Sequence, residues 1–168
     1  MKIETERRII TEFTMDMANA VHLNSLDEDN RRFVPDEVFE TIEEAAETLA
    51  FLIGVYSSGE GPLVYPVLLK DRTCIGYVQA VPFEDGTWEV GYHIGGSHTK
   101  QGYATEAVKA FLPVIMARLR ITQITGICLA ENRASVKVME RSGFLKEFEG
   151  VGPYQGEDRM ICRFVYTL

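Results

Sequence analysis

An apolar strand, Thr87–Ile94, leads into Gln101-Gly102-Tyr103-Ala104-Thr105-Glu106-Ala107 and then into an amphipathic helix, and no other stretch constrains this chain as much. A strand that breaks at a glycine turn and opens a helix leaves the first helical N–H groups without backbone partners, at the positive end of the helix dipole. Such an end binds phosphate oxygens. Gly102 lets the backbone come close to a ligand, and the small Ala104 keeps the approach open. By itself the pattern also describes many plain strand–helix connections, so the rest of the chain has to decide its meaning.

The helix is expected from Gly102 to about Arg120, with Ala104, Ala107, Val108, Phe111, Leu112, Ile115 and Leu119 on its buried side. Pro113 removes one of its hydrogen bonds and predicts a bend. Upstream, Arg7–Phe13 reads as a first strand and Asp16–Ser25 as a helix, followed by a polar stretch, Asp27–Arg32. Asp36 or Thr41 can cap a helix through Glu43–Ile53, and Ser57–Pro62 reads as a loop. Leu63–Leu69, Cys74–Val81 and Thr87–Ile94 are three strands joined by turns at Asp71-Arg72 and Glu84-Asp85-Gly86. Downstream the pattern gives a strand at Gln123–Leu129 and a helix at Ser135–Arg141. Strands follow at Phe144–Phe148 and Arg159–Tyr166, with Gly150–Glu157 as a loop between them. Early strands followed by strand–helix–strand–helix describe an α/β (α+β) layer on a mixed sheet.

With 168 residues and no linker, repeat or low-complexity segment, the chain is expected to be one domain spanning 1–168. Its net charge of −8 argues against nucleic acid as a partner and fits a cationic substrate such as an amine. Cys74, Cys128 and Cys162 sit in apolar strand-like runs, an odd number without regular spacing, and read as buried thiols rather than a disulfide framework or a metal site. No metal is expected. The opening residues form no signal peptide and no apolar run is long enough to span a bilayer, so a cytoplasmic protein without membrane contact is expected. A P-loop nucleotide-binding protein is excluded, because no Gly-Lys-Ser/Thr follows the glycine.

Further motifs lie in order along the chain. Asn132-Arg133-Ala134-Ser135 opens a short helix that closes on Ser142-Gly143-Phe144. Together with Gly102-Tyr103-Ala104-Thr105-Glu106-Ala107, Thr5–Ile10 and Glu89-Val90-Gly91-Tyr92, these motifs resemble the GNAT superfamily of N-acetyltransferases. Within it they are closest in pattern to the ribosomal-protein alanine acetyltransferase (Rim-type, RimJ/RimL-like) branch. The resemblance implies the GNAT fold: a mixed, mostly antiparallel sheet splayed in the middle between its fourth and fifth strands, with helices on both faces. It implies acetyl-CoA as cosubstrate and an amine as acceptor, with direct attack in a ternary complex. The acceptor is a peptide N-terminus or, as the alternative, a small-molecule amine. A non-catalytic acyl-CoA-binding module is the reading from another class, and homodimers are common among members.

The resemblance also implies roles for residues. Backbone at Tyr92, His93 and Ile94 is expected to pair with the pantetheine amides as an added strand. Lys100, Gln101, Gly102, Tyr103, Ala104 and Thr105 are expected at the pyrophosphate, with Lys109 adding charge. Asn132 matches the position that meets the pantetheine arm. The superfamily's usual arginine or glutamine at the start of the phosphate loop is replaced by Thr99, and Lys100 stands where a further glycine is usual. An alkyl amine is mostly protonated at neutral pH, so a base is needed. Glu89 leads as base, although a structural or solvent-facing role fits the same position; His93, on the same strand face, ranks second and His98 third. Where many members carry a tyrosine that protonates the leaving thiolate, this chain has Met139. Ser135 is then the candidate acid, with binding of backbone N–H groups at the helix start as its other reading.

Overall fold

The apolar alternation of the middle of the chain produces a meander that anchors the whole sheet. In the computed structural model, which describes residues 1–168, β3 (Leu63–Leu69), β4 (Cys74–Pro82) and β5 (Trp88–Ile94) pair antiparallel in sequence. Outside β3 lie β2 (Arg8–Ile10) and the two-residue β1 (Ile3–Glu4), which folds back so that Ile3 faces Ile10. Beyond β5 come β6 (Gln123–Leu129), β8 (Glu157–Thr167) and β7 (Leu145–Tyr154) at the edge, giving the order β1-β2-β3-β4-β5-β6-β8-β7. Every pairing is antiparallel except β5 with β6.

That exception makes the site. β5 and β6 run parallel and share a single register pair, Glu89 with Thr125. Past it the two strands part, and the β6-facing edge of β5 from Val90 to Ile94 has no strand partner. Backbone groups without ladder partners are a template for an extended ligand.

Two helical layers fix the angle of the splay. On one face α4 (Tyr103–Leu119) buries Ala107, Val108, Phe111, Leu112, Ile115 and Met116 against Val78, Val90 and Ile94. Side chains of this size each contribute about 1.5–3 kcal/mol when fully buried. Pro113 lies within α4 without ending it, on the exposed side. α5 (Arg133–Arg141) joins the same core through Val136 and Met139. On the other face α1 (Ala18–Ser25) and α3 (Ile42–Ser58) pack Ala18, Leu49 and Leu52 on Phe13 and Val64. Thr41 is the residue that caps α3, accepting the Glu44 N–H at 3.1 Å.

Three segments differ from expectation. The first strand stops at Ile10, because Phe13 leaves the sheet to bury itself under α1 and α3. The polar stretch after α1 forms a helix, α2 (Glu28–Phe33): Asp27 caps it by accepting the Asn30 N–H at 2.7 Å, and Asn30 turns inward. The expected loop Gly150–Glu157 instead continues the β7–β8 hairpin, which turns at Gln155-Gly156. Edge strand β7 is mostly exposed on both faces, so it lacks the apolar alternation by which a strand is recognised.

Candidate active site

The splay opens a cleft of about 1380 Å³. It is lined by the end of β5, the turn before α4, the start of α5, the segment around α2 and the tip of the β7–β8 hairpin. Its charge is divided. Lys100, Lys137 and Arg141 line the side formed by the starts of α4 and α5, while Asp27, Glu28, Asp29, Asp36 and Glu37 come from the α2 segment and Glu89 from β5. The first side suits phosphates and the second a cation.

On the basic side Gly102 is the N-cap of α4 with φ +76° and no side chain caps the helix. An uncapped helix start facing a cleft retains donors for an anion, which fits the pyrophosphate of coenzyme A. The turn is fixed from the β1–β2 connection: Arg7 Nε pairs with Glu106 at 2.7 Å, Arg7 Nη1 donates to the Gln101 carbonyl at 3.1 Å, and Thr5 donates to Glu106 at 2.6 Å. The Arg8 guanidinium lies 3.1 Å from the centre of the Tyr103 ring. Lys100, Gly102, Tyr103, Ala104 and Thr105 all line the cleft. Gln101 does not; it is exposed, and its carbonyl is taken by Arg7, so it shapes the turn rather than facing a ligand. Lys109 is exposed on α4 outside the cleft wall.

On β5 the period of two sends Glu89, Gly91 and His93 to the α2 side, and Val90, Tyr92 and Ile94 to the α4 side. Burial pushes the Glu89 carboxyl up to about 7. The Ile127 N–H across the splay opposes this, while nearby Glu37 adds to it. Glu37 is itself raised to about 7, chiefly by burial, although Gln79 donates to it at 3.2 Å. Gly91 permits this arrangement, since a Cβ there would stand 2.6 Å from Gln79 Nε2. The result is two half-buried carboxyls in the cleft wall, both raised toward neutrality.

His93 is placed differently. Its Nε2 lies 3.0 Å from the Asn24 carbonyl and 3.4 Å from Asp27 Oδ2. A carbonyl only accepts, so Nε2 carries the proton and the ring tethers the α1–α2 connection to β5. Burial would raise Asp27, yet hydrogen bonds from His93 and from the Asn30 and Gly96 N–H groups hold it below the usual carboxylate range. His98, in the loop, lines the cleft nearer the phosphate turn.

Ser135 does not cap its helix. Asn132 does, accepting the Ser135 N–H at 3.2 Å. The Ser135 hydroxyl instead sits 2.6 Å from the Tyr92 hydroxyl. Asn132→Ala is therefore expected to cost about 1 kcal/mol in urea denaturation, and Ser135→Ala far less. Equal losses would contradict this division of labour. Met139 is buried in the core and lines the cleft through a thioether that cannot donate a proton.

Glu37, Asn30, Tyr154, Lys137 and Arg141 also line the cleft, and no sequence pattern marks them. Pro35-Asp36-Glu37 looks like an ordinary turn, and only the fold brings it over β4 and β5. No three His, Cys, Asp or Glu side chains are grouped to hold a metal ion.

A half-open parallel pair, an uncapped helix start and a carboxylate-lined wall suit an enzyme that transfers an acyl group from a coenzyme A thioester to a nucleophile. Residues 7–145 match the acetyltransferase (GNAT) domain family, and the chain belongs to it. It is an acetyl-CoA-dependent N-acetyltransferase. An uncharacterised N-acetyltransferase of Bacillus subtilis, YnaD, is 31% identical over 88% of this chain and 84% of its own length. A GNAT-family acetyltransferase from Bacillus anthracis superposes with a TM-score of 0.83 at 26% identity, covering 99% of this chain and 98% of its own. RimL, a ribosomal-protein α-N-acetyltransferase solved with coenzyme A, shares the fold with a TM-score of 0.83 at 17% identity, over 100% and 98% of the two chains. No helix is long and apolar enough to cross a membrane.

Proposed function

We propose that the acceptor is a primary amine, that the amine attacks directly in a ternary complex, and that Glu89 is the base. The observation that carries this reading is the placement of Glu89 and Glu37 in the cleft wall where β5 parts from β6, a setting in which burial raises both carboxyls to about 7. A base is most useful when its pKa lies near the working pH. Bound acetyl-CoA supplies an activated acetyl thioester. Lys100, Lys137, Arg141 and the start of α4 hold its phosphates, while the free edge of β5 orients its arm. Glu89, directly or through a water, accepts one ammonium proton, freeing the nitrogen to form the N–C bond as the C–S bond breaks, and the second proton that the nitrogen sheds passes to the departing thiolate. Most of the acceleration comes from holding the two reactants together.

Ser135 and Tyr92 supply what Met139 cannot. Tyr92 is half-buried with its hydroxyl turned inward, and loss of solvation there pushes that hydroxyl well above the ordinary tyrosine value, so it stays protonated. With Ser135 at 2.6 Å it offers a hydrogen bond to the departing sulfur through the serine. Ser135→Ala and Tyr92→Phe are each expected to lower kcat by less than about a hundredfold, since thiolate is a good leaving group and acid catalysis is worth about 10²–10⁴ even where needed. Because the two hydroxyls act as a unit, the double variant is expected to lose little more than either alone. Additive losses would separate them.

Cys128 also lines the cleft, but burial pushes its thiol up to about 11. A thiol so rarely ionised is a poor nucleophile, which supports direct attack over an acetyl-cysteine route. The likeness to RimL supports acetyl-CoA in the cleft; at its low identity it carries the fold and does not choose between a peptide N-terminus and a small amine. Thiol release from acetyl-CoA, followed by mass analysis of the amine product, tests the reading. Release that depends on a primary amine and yields its N-acetyl derivative is expected. Release only with hydroxyl or thiol acceptors would overturn it.

A further inference from the structure

A second cavity, of about 300 Å³, lies between α1, α3 and the α2-side face of the sheet. Phe39, Leu49, Phe51, Leu52, Val64 and Val21 give it apolar walls. It shares Asn30, Asp36, Glu37, Gln79 and His93 with the main cleft, so the two meet beside Glu37. The mechanism above leaves this space unused. Resting on the N-acetyltransferase reading, we infer that the acceptor is a small primary amine carrying a compact apolar group, such as an aryl or branched alkyl chain. The nitrogen lies at the junction and the apolar group fills the second cavity.

The junction is built for a cationic nitrogen. Asn30 is only 2% exposed. Its Nδ2 hydrogens are spent on the Ser25 and Glu37 carbonyls at 2.9 and 3.2 Å, which fixes the amide's orientation. Its Oδ1 is buried with no partner. A buried acceptor left unpaired is costly, and a small shift of the wall that opens it to a ligand N–H removes that cost. Asp36 and Glu37 stand beside it, and the one basic side chain among the shared residues, His93, is engaged with Asn24 and Asp27. Charge and hydrogen-bonding capacity thus both call for an ammonium.

Size favours a compact body. An apolar cavity of about 150 Å³ holds a benzene ring, so 300 Å³ accepts an aryl group with a short linker.

The test compares 2-phenylethylamine, 3-methylbutylamine, ethylamine, spermidine and an alanine-terminated hexapeptide as acceptors. The two apolar amines are expected to exceed ethylamine in kcat/KM by at least about tenfold, from the apolar area they bury. Val21→Trp, which fills the cavity, is expected to abolish that advantage, bringing both apolar amines down to the level of ethylamine, while the stabilisation given by acetyl-CoA persists. Thr48→Trp fills the cavity from the α3 side and replaces Val21→Trp if that variant fails to fold. Higher kcat/KM for spermidine or the peptide, or filled variants that keep the apolar preference, would overturn this inference while leaving the N-acetyltransferase reading standing. Failure of every primary amine would instead remove that reading.

Discussion

Glu89→Gln is expected to lower kcat/KM by about 10²–10⁴-fold between roughly pH 7 and 10, and by progressively less on either side of that window. The wild-type carboxyl titrates near 7, because burial and the neighbouring Glu37 disfavour its charge more than the Ile127 N–H favours it. Below that pH the enzyme's own base is protonated and the variant has little left to lose. Above about 10 an alkyl amine supplies its own free base, so the variant recovers. The wild-type profile should therefore rise through an apparent pKa near 7 that belongs to the Glu37–Glu89 pair. The variant should lack that limb. A loss of equal size at every pH would make Glu89 a positioning residue instead.

The second large effect lies on the opposite side of the cleft. Gly102→Asp is expected to weaken acetyl-CoA binding by more than about a hundredfold, because it sets a negative charge against the pyrophosphate at the helix start. Space is not the obstacle, since a Cβ at Gly102 would meet only Arg7 Nη2, at 3.6 Å. Nor should the fold suffer greatly. Any side chain at φ +76° is strained, but aspartate and asparagine adopt that conformation more readily than most residues. The free protein should thus melt near the wild-type temperature while the shift given by acetyl-CoA disappears. For the wild type that shift corresponds to about 2.7 kcal/mol at a hundred times Kd. Gly102→Asn has the same shape without the charge and should keep most of the affinity. Equal damage from both would mean that shape, not charge, governs the turn.

Much of this architecture is legible in the residues. Strands Leu63–Leu69 and Gln123–Leu129 follow from apolar runs bounded by turns, and α4 from a glycine start and a helical apolar stripe. The turn proposed for the phosphates is local in sequence, and the run from Gly102 to Thr105 lines the cleft as its residues suggest. The proposed acceptor end is assembled from distant segments. Glu37, Gln79 and Glu89 meet only because β4 and β5 pair in the observed register and α2 folds over them. No periodicity reports such a meeting. α2 itself is hidden by its composition: a short polar helix has no apolar stripe, and its cap, Asp27, looks like one more surface charge. The role of Ser135 is obscured for a similar reason. An N-terminal helix serine suggests a cap, and only the fold shows Asn132 taking that position while Tyr92 comes within 2.6 Å of the serine.

Direct attack by an amine in a ternary complex is the central claim, and initial velocities measured over a grid of acetyl-CoA and 2-phenylethylamine concentrations test it most directly. Paired with the intact mass of the enzyme after incubation with acetyl-CoA alone, they leave two outcomes. Double-reciprocal lines that intersect, with no acetyl group added to the protein, are the result expected from a base at Glu89 and a Cys128 thiol pushed up to about 11. Parallel lines together with an acetyl group on Cys128 would contradict the account.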